Sequence, residues 1–272
     1  MVMMDLRIES NKGDTKWAVI LCGGRGSRLG DITDTTPKPL VEIHGKPIMW
    51  YTFWTLYNHG FRNFILPLGY KGEIVDEYFK SISNETDCQV ISVNTGVDTS
   101  IAHRIDQIHK YIPDDEDFFI LNSDTLFEFD IEGMYQMHKN NNALVTLSSV
   151  DVVSTWGLII INDGEMIGFE RDRKIRHLFT DGGKEEGLVY SGFSWINKKA
   201  LSNIDLQTCY DFETNVYQNA IDLGRSVHYS INGLWYPIDT PKDLQIINMM
   251  LDDRHSLGST AKEYRTKLED KK

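Results

Sequence analysis

Between Trp17 and Thr125 the chain alternates continuous apolar runs with segments of helical periodicity, and few folds accommodate that order. "WAVILC" (17–22), "FILPLG" (64–69), "CQVISVN" (88–94) and "DFFILNSDT" (117–125) read as strands. Their near-continuous apolar character is that of strands buried on both faces, although Pro67 weighs against a central position for the second. Between them, "PIMWYTFWTLYNHG" (47–60) reads as a helix with Pro47 near its first turn and Gly60 at its C-terminal cap. "GEIVDEYFKS" (72–81) places Ile74, Val75, Tyr78 and Phe79 on one helical face. Ile101, Ile105, Ile108 and Ile112 form another stripe, which turns His103, Arg104 and Gln107 away from the core. Strands and helices in this alternation imply an α/β fold, a mostly parallel sheet flanked by helices. Ligands of such sheets bind beyond the carboxyl ends of the strands.

The second half is richer in strands. "ALVTLSSV", "WGLIIIN", "MIGFE" and "GLVYSGFSWIN" are separated by turn signals at Asn162-Asp163-Gly164 and Asp181-Gly182-Gly183. Helices return at "DFETNVYQNAIDLG" and "TPKDLQIINMMLDD", the latter with Thr240 as N-cap and Leu244, Ile247 and Leu251 as its apolar face. The expected organisation is a loose arm over 1–15, a single domain over 16–255 and a charged tail over 256–272. Within the domain, 16–130 forms a nucleotide-binding half and 131–255 a mixed, β-rich substrate-side half.

A formal net charge of −12 argues against a nucleic-acid surface, so any anionic ligand must meet locally concentrated cations. Three dispersed cysteines offer no disulfide framework, and no apolar run has membrane-spanning length. A soluble, cytoplasmic protein without a membrane partner is expected.

"LCGGRGSRLGDITDTTPKPLVEIHGKP" (21–47) follows the first strand directly. Glycines at such a strand end let backbone N–H groups close on an anion. The spacing of Gly23, Gly24, Gly26 and Gly30 fits neither a Walker loop nor a dinucleotide fingerprint, and the glycines alone would equally suit a surface turn. Arg28 and Lys38 favour the anion: a guanidinium grips phosphate oxygens as a fork, an ammonium acts as a point charge. Pro37 and Pro39 are expected to hold the backbone around Lys38 extended.

Asp124 ends a strand that reads as buried, where a carboxylate is costly unless it binds something. A divalent cation is a natural partner, because Mg²⁺ is commonly held by one or two carboxylates plus phosphate oxygens. Asp239, just before a helix start, is a second candidate, with a helix-capping role as its alternative. His44, His59 and His138 show no metal-ligand spacing, Trp50-Tyr51-Phe53-Trp54 reads as helix packing, and Ser191 lacks the setting of a nucleophile elbow.

Together, "LCGGRGSRL…PKPLVEIHGKPIMWY", "GYKGEIVDEYF", "NTG", "SD" and "YPIDTPKDL" resemble the sugar-1-phosphate nucleotidyltransferases over roughly residues 17–250. "VEIHGKPIMW" and "VNTGVDTS" are most similar to the glucose-1-phosphate cytidylyltransferase branch. The resemblance implies a Rossmann-like nucleotide-binding sheet, Mg²⁺ as cofactor, CTP as donor, a phosphorylated sugar as acceptor, and a homo-oligomer. It implies attack of a sugar-phosphate oxygen on the α-phosphorus of the donor, releasing pyrophosphate and giving a nucleotide sugar for polysaccharide biosynthesis. Carried over by position, Arg28, Lys38 and Asp124 form the catalytic set, and Asp124 and Asp239 hold the metal. Leu21, Gly23, Gly24, Gly26, Ser27, Thr95, Gly96 and Arg104 line the nucleotide; Glu170, Arg171, Tyr190 and Gly192 face the acceptor.

The chain departs from the branch at three places. Ile101-Ala102-His103-Arg104 stands where the branch has Thr-Gly-Gly-Arg, Glu170-Arg171 where it has Glu-Lys, and Tyr190-Ser191-Gly192 where it has Asn-Gly-Gly. The reaction class survives these changes. The acceptor stays open to another phosphate or phosphonate, and a non-catalytic nucleotide-sugar-binding relative is the remaining alternative.

Overall fold

The computed structural model describes residues 15–84, 86–153, 158–162, 164–170, 174–175, 177–180, 183–209 and 211–251. The expected arm up to residue 14, the expected tail over 256–272, Trp156-Gly157, Arg171 and the turn residues Asp163, Asp181 and Gly182 lie outside them.

The apolar runs become strands β1 (Lys16–Leu21), β2 (Phe61–Leu68), β3 (Gln89–Asn94) and β4 (Asp117–Asn122). β4 is followed by the short strand β5 (Thr125–Glu128). The second half supplies β6 (Val145–Val150), β7 (Leu158–Asn162), β8 (Glu165–Glu170), β9 (Val189–Asn197), β10 (Ser226–Ser230) and β11 (Leu234–Pro237). One seven-stranded sheet runs in the order β10-β6-β9-β4-β1-β2-β3. Only β9 is reversed, pairing antiparallel with β4 and β6.

Helices α1 (Ile48–Asn58), α2 (Gly72–Ser83), α3 (Ile101–Ile108), α4 (Ile131–Asn140), α5 (Phe212–Asp222) and α6 (Pro241–Leu251) cover the sheet. Two buried clusters result, one on each face. The first joins α1 to Phe61, Phe119, Phe193 and Trp195; the second joins α3 and α5 to Val19, Ile65, Phe118 and Ile196. Alternation along β4 sends Phe118 and Phe119 to opposite faces, as strand geometry requires.

Pro67 lies in an interior strand, contrary to expectation. Its carbonyl faces β1, receiving the Cys22 thiol at 3.9 Å, and the β1–β2 register ends at Val19 opposite Ile65. The position without an N–H thus falls just beyond the last paired residues of the β1–β2 ladder. Ile74 also departs from the expected apolar face, standing 48 % exposed while Val75 and Phe79 are buried. β7 and β8 pair as a two-stranded ribbon outside the main sheet. Among the described residues no helix is long and apolar enough to cross a membrane.

Candidate active site

The carboxyl ends of β1 and β4 open into a cavity of about 370 Å³. The glycine loop forms one wall. Gly26 adopts φ 66°, and a Cβ there would lie 2.8 Å from the Cβ of Lys38, so the glycine lets the Lys38 segment pack against the loop. Gly23 is bound by a different contact: a Cβ would lie 2.2 Å from the Arg104 guanidinium. Gly24 meets nothing within 4 Å and faces the open cavity, as do Leu21, Ser27 and Arg28.

Pro37 is extended, but Lys38 itself opens a single 3₁₀ turn, Lys38–Leu40, rather than continuing extended. The turn carries its side chain inward, where Nζ donates to Asp124 Oδ2 at 2.7 Å and to Asp239 Oδ1 at 2.8 Å. Arg28 pairs with the other Asp239 oxygen at 3.0 Å. These partners lie 86 and 201 residues from Lys38 in sequence. Their convergence has a local cause: β5 and β11 pair antiparallel, Thr125 opposite Pro237, and Ile238 N–H donates to the Asp124 carbonyl at 2.9 Å. The ribbon thus sets the two acids side by side.

Asp239 does not cap the following helix. Thr240 does, in a reciprocal box with Asp243: Asp243 N–H donates to Thr240 Oγ1 at 3.3 Å, and Thr240 N–H donates to Asp243 Oδ2 at 2.8 Å. Asp243 Oδ2 also accepts from Asp239 N–H at 3.1 Å, fixing the backbone that aims Asp239 at Lys38.

Arg104 corrects the helical-stripe expectation. It is 5 % exposed and turned inward. Its guanidinium donates to the carbonyls of Gly23 (3.3 Å), Leu68 (3.2 Å) and Val97 (3.0 Å) and to Thr95 Oγ1 (2.5 Å). It ties together the ends of β1, β2 and β3. Burial holds its pKa below the ordinary arginine value, with nearby Cys22 and Asp98 opposing that shift. Burial likewise pushes the neighbouring Cys22 thiol up to about 12, which keeps it protonated and inert.

Thr95 and Gly96 shape the wall without lining it. Thr95 is committed to Leu68 and Arg104, while Gly96 makes a turn at φ 92°. Val97, Thr99, Ile101, Asn122 and Ser123 line the cavity instead. Asn122 and Ser123 stand directly before Asp124 at the strand end, a position from which they could have been read. Of the residues expected to face the acceptor, Gly192 has φ 86° and abuts Asn122, while Tyr190 lies two residues earlier along β9. Glu170 ends the exposed β8 and is not among the residues lining the glycine-loop cavity.

Among the described residues no group of three or more His, Cys, Asp or Glu could hold a metal. Asp124 and Asp239 nevertheless offer hard oxygens that already converge on one cation, the Lys38 ammonium. Two carboxylates completed by phosphate oxygens and water are the usual setting for Mg²⁺, so the residues present fit that ion.

The sequence match decides between an anion loop of unspecified purpose and a known enzyme class. The nucleotidyl transferase family model matches residues 17–253. The chain belongs to this family. As a nucleotidyltransferase it is 31% identical over 252 residues to a Bacillus subtilis protein assigned as a glucose-1-phosphate cytidylyltransferase, covering 86% of this chain and 95% of that one. The glucose-1-phosphate cytidylyltransferase of Salmonella typhimurium is 29% identical, with 83% and 92% covered. The D-glycero-α-D-manno-heptose 1-phosphate guanylyltransferase of Aneurinibacillus thermoaerophilus is 30% identical over 200 residues, with 72% and 81% covered. In fold, the nucleotidyltransferase matches a Bacillus anthracis crystal structure assigned as a glucose-1-phosphate thymidylyltransferase, with a TM-score of 0.68 at 17% identity, over 88% of this chain and 96% of that one.

Proposed function

We propose that this nucleotidyltransferase moves a cytidylyl group from CTP to a sugar 1-phosphate, with Mg²⁺ as cofactor. The observation that carries the reading is the Lys38–Asp124–Asp239–Arg28 cluster at the mouth of the glycine-loop cavity. A phosphate oxygen of the acceptor forms the new bond to the α-phosphorus, and the bond to pyrophosphate breaks. Such transfer needs alignment and charge neutralisation rather than covalent help.

Gly24, open to the cavity, offers its backbone to the triphosphate, while Gly23 and Gly26 let Arg104 and Lys38 pack against the loop, and Arg28 grips the phosphate oxygens from the rim. Lys38, fixed at the cavity floor, neutralises charge at the α-phosphate. Asp124 and Asp239 would hold Mg²⁺, which when bound neutralises phosphate oxygens and orders the donor. The cytidylyltransferase relatives support CTP; the guanylyltransferase relative makes GTP the competitor to exclude. A homo-oligomer is part of the same proposal, and the exposed Ile159, Ile161, Met166 and Ile167 of the β7–β8 ribbon support it.

The test is a matrix of CTP, GTP, UTP and dTTP against several sugar 1-phosphates and one aminoalkyl phosphonate, with pyrophosphate release as readout. Turnover with CTP and a sugar 1-phosphate is expected. Preference for another nucleotide would overturn the donor assignment, and preference for the phosphonate would overturn the acceptor. Sedimentation of the same preparation reads the oligomeric state.

A further inference from the structure

A second cavity, of about 350 Å³, is lined by Leu147, Ser148, Ser149, Leu188, Tyr190 and His228. Ser149 lies opposite Tyr190 across the β6–β9 pair, and His228 opposite Leu147 on β10. Because β4 and β6 both run against β9, and β10 runs with β6, this cavity sits at carboxyl strand ends, on the rim that carries Asp124. β4 and β6 are two strand spacings apart, roughly 10 Å. A sugar ring together with its phosphate bridges that gap. β9 borders both: Gly192 abuts Asn122, which lines the glycine-loop cavity, and Tyr190 lines the second one.

The lining has a definite chemistry. Among the described residues it includes no carboxylate, ammonium or guanidinium group. Leu147, Leu188 and the Tyr190 ring are apolar walls. The Tyr190 hydroxyl is engaged with Ser194 Oγ at 2.7 Å and Tyr217 Oη at 2.9 Å, and the Ser148 hydroxyl with Ser191 and the Phe193 carbonyl. Ser149 Oγ holds His228 Nε2 at 2.6 Å, which leaves the Nδ1 of His228, exposed at the mouth, as the ring atom without a partner among the described residues.

We propose that this cavity takes the ring of the acceptor, an uncharged polyhydroxylated sugar, and that His228, backed by Ser149, reads one hydroxyl remote from the phosphate. The inference rests on the sugar-1-phosphate reading above. Apolar walls suit the C–H face of a pyranose. An amine or a carboxylate would find no counter-charge there and would lose its hydration uncompensated. A site built to hydrogen-bond a substrate hydroxyl rejects analogues that lack it.

The experiment compares wild type with His228→Ala and His228→Asn at saturating CTP, using the accepted sugar 1-phosphate and its series of monodeoxy analogues. His228 is exposed, so both variants should keep the wild-type Tm and the wild-type KM for CTP. Expected is a fall in acceptor kcat/KM of at least about tenfold in His228→Ala, the scale of one lost hydrogen bond. For one monodeoxy analogue, wild type and variant should be equally poor. A uniform loss across every analogue, an unchanged acceptor kcat/KM, or better wild-type turnover with an amino-sugar or uronic acid 1-phosphate would overturn the assignment. If wild type uses no sugar 1-phosphate at all, the parent reading fails with it; turnover that ignores His228 sinks this inference alone.

Discussion

Lys38 meets two carboxylates before any substrate arrives, and this gives it two partners to choose between. With the metal absent, its ammonium neutralises Asp124 and Asp239; with both substrates bound, its place in the proposed mechanism is at the α-phosphate. Lys38→Ala should therefore lower turnover about 10²–10³-fold, the usual effect of removing one donor from a charge-stabilising site. The same substitution should tighten binding of Mn²⁺ to the enzyme alone by roughly tenfold, or ~1.4 kcal/mol, because the acids lose their internal counter-ion. Titration of Mn²⁺ by electron paramagnetic resonance checks this, and weaker binding in the variant would show that Lys38 does not compete for the acids. Arg28 and Lys38 stood out in the sequence because charge beside a glycine-rich strand end has few other uses, and Asp124 because a carboxylate ending a buried strand needs a partner. Arg104 was only half legible. Its place among isoleucines spaced at helical period pointed outward, yet the carbonyls at three strand ends needed a donor, and periodicity cannot see that need.

At the scale of elements, the site depends on two devices that no motif announces. The β5–β11 ribbon aligns Asp124 with Asp239, and its strands are too short to show alternation. The capping box at the start of α6 was partly visible, since Thr240 reads as an N-cap, but Asp243 also holds the Asp239 N–H. Asp243→Ala should therefore do more than remove a cap. Loss of the box costs about 1 kcal/mol, a Tm decrease of roughly 2–4 °C in a chain of this size. Because Asp239 loses its backbone anchor, metal dependence should change as well: the Mg²⁺ concentration for half-maximal rate should rise severalfold. Thr240→Ala separates the two effects, since it removes the cap while leaving Asp243 able to accept from Asp239 N–H. Equal Mg²⁺ dependence in the two variants would show that Asp243 acts on stability alone. The strand and helix order itself was readable, because the apolar runs of β1, β2 and β4 are buried inside one sheet. Pro67 misled only because strand periodicity does not show where a neighbouring ladder stops.

Across the whole molecule the proposed chemistry occupies one rim of the sheet and a buried polar anchor occupies the other. Asp117, at the start of β4, is 3 % exposed and receives Lys139 Nζ at 2.8 Å and Asn197 Nδ2 at 2.7 Å, with His138 Nε2 at 3.3 Å. His138 in turn lies 2.8 Å from Thr146 Oγ1. The network ties α4 to β4, β6 and β9, joining both halves of the chain at a place remote from substrate. Burial alone would raise the Asp117 pKa, but hydrogen bonds from His138, Lys139 and Asn197 outweigh it and lower the carboxyl to about 2. The unfolded chain, with an ordinary aspartate near 3.9, binds the proton first as pH falls. Asp117 thus contributes stability that is fully present above about pH 4 and disappears as pH drops toward 2, on the order of 2 kcal/mol in all. Asp117→Asn cannot titrate, so the urea midpoint of wild type should exceed that of the variant at pH 6 and converge on it between pH 4 and 2.5. Parallel curves over that range would mean that the anchor holds by packing and neutral hydrogen bonds, with the Asp117 charge contributing nothing to the union of the two halves.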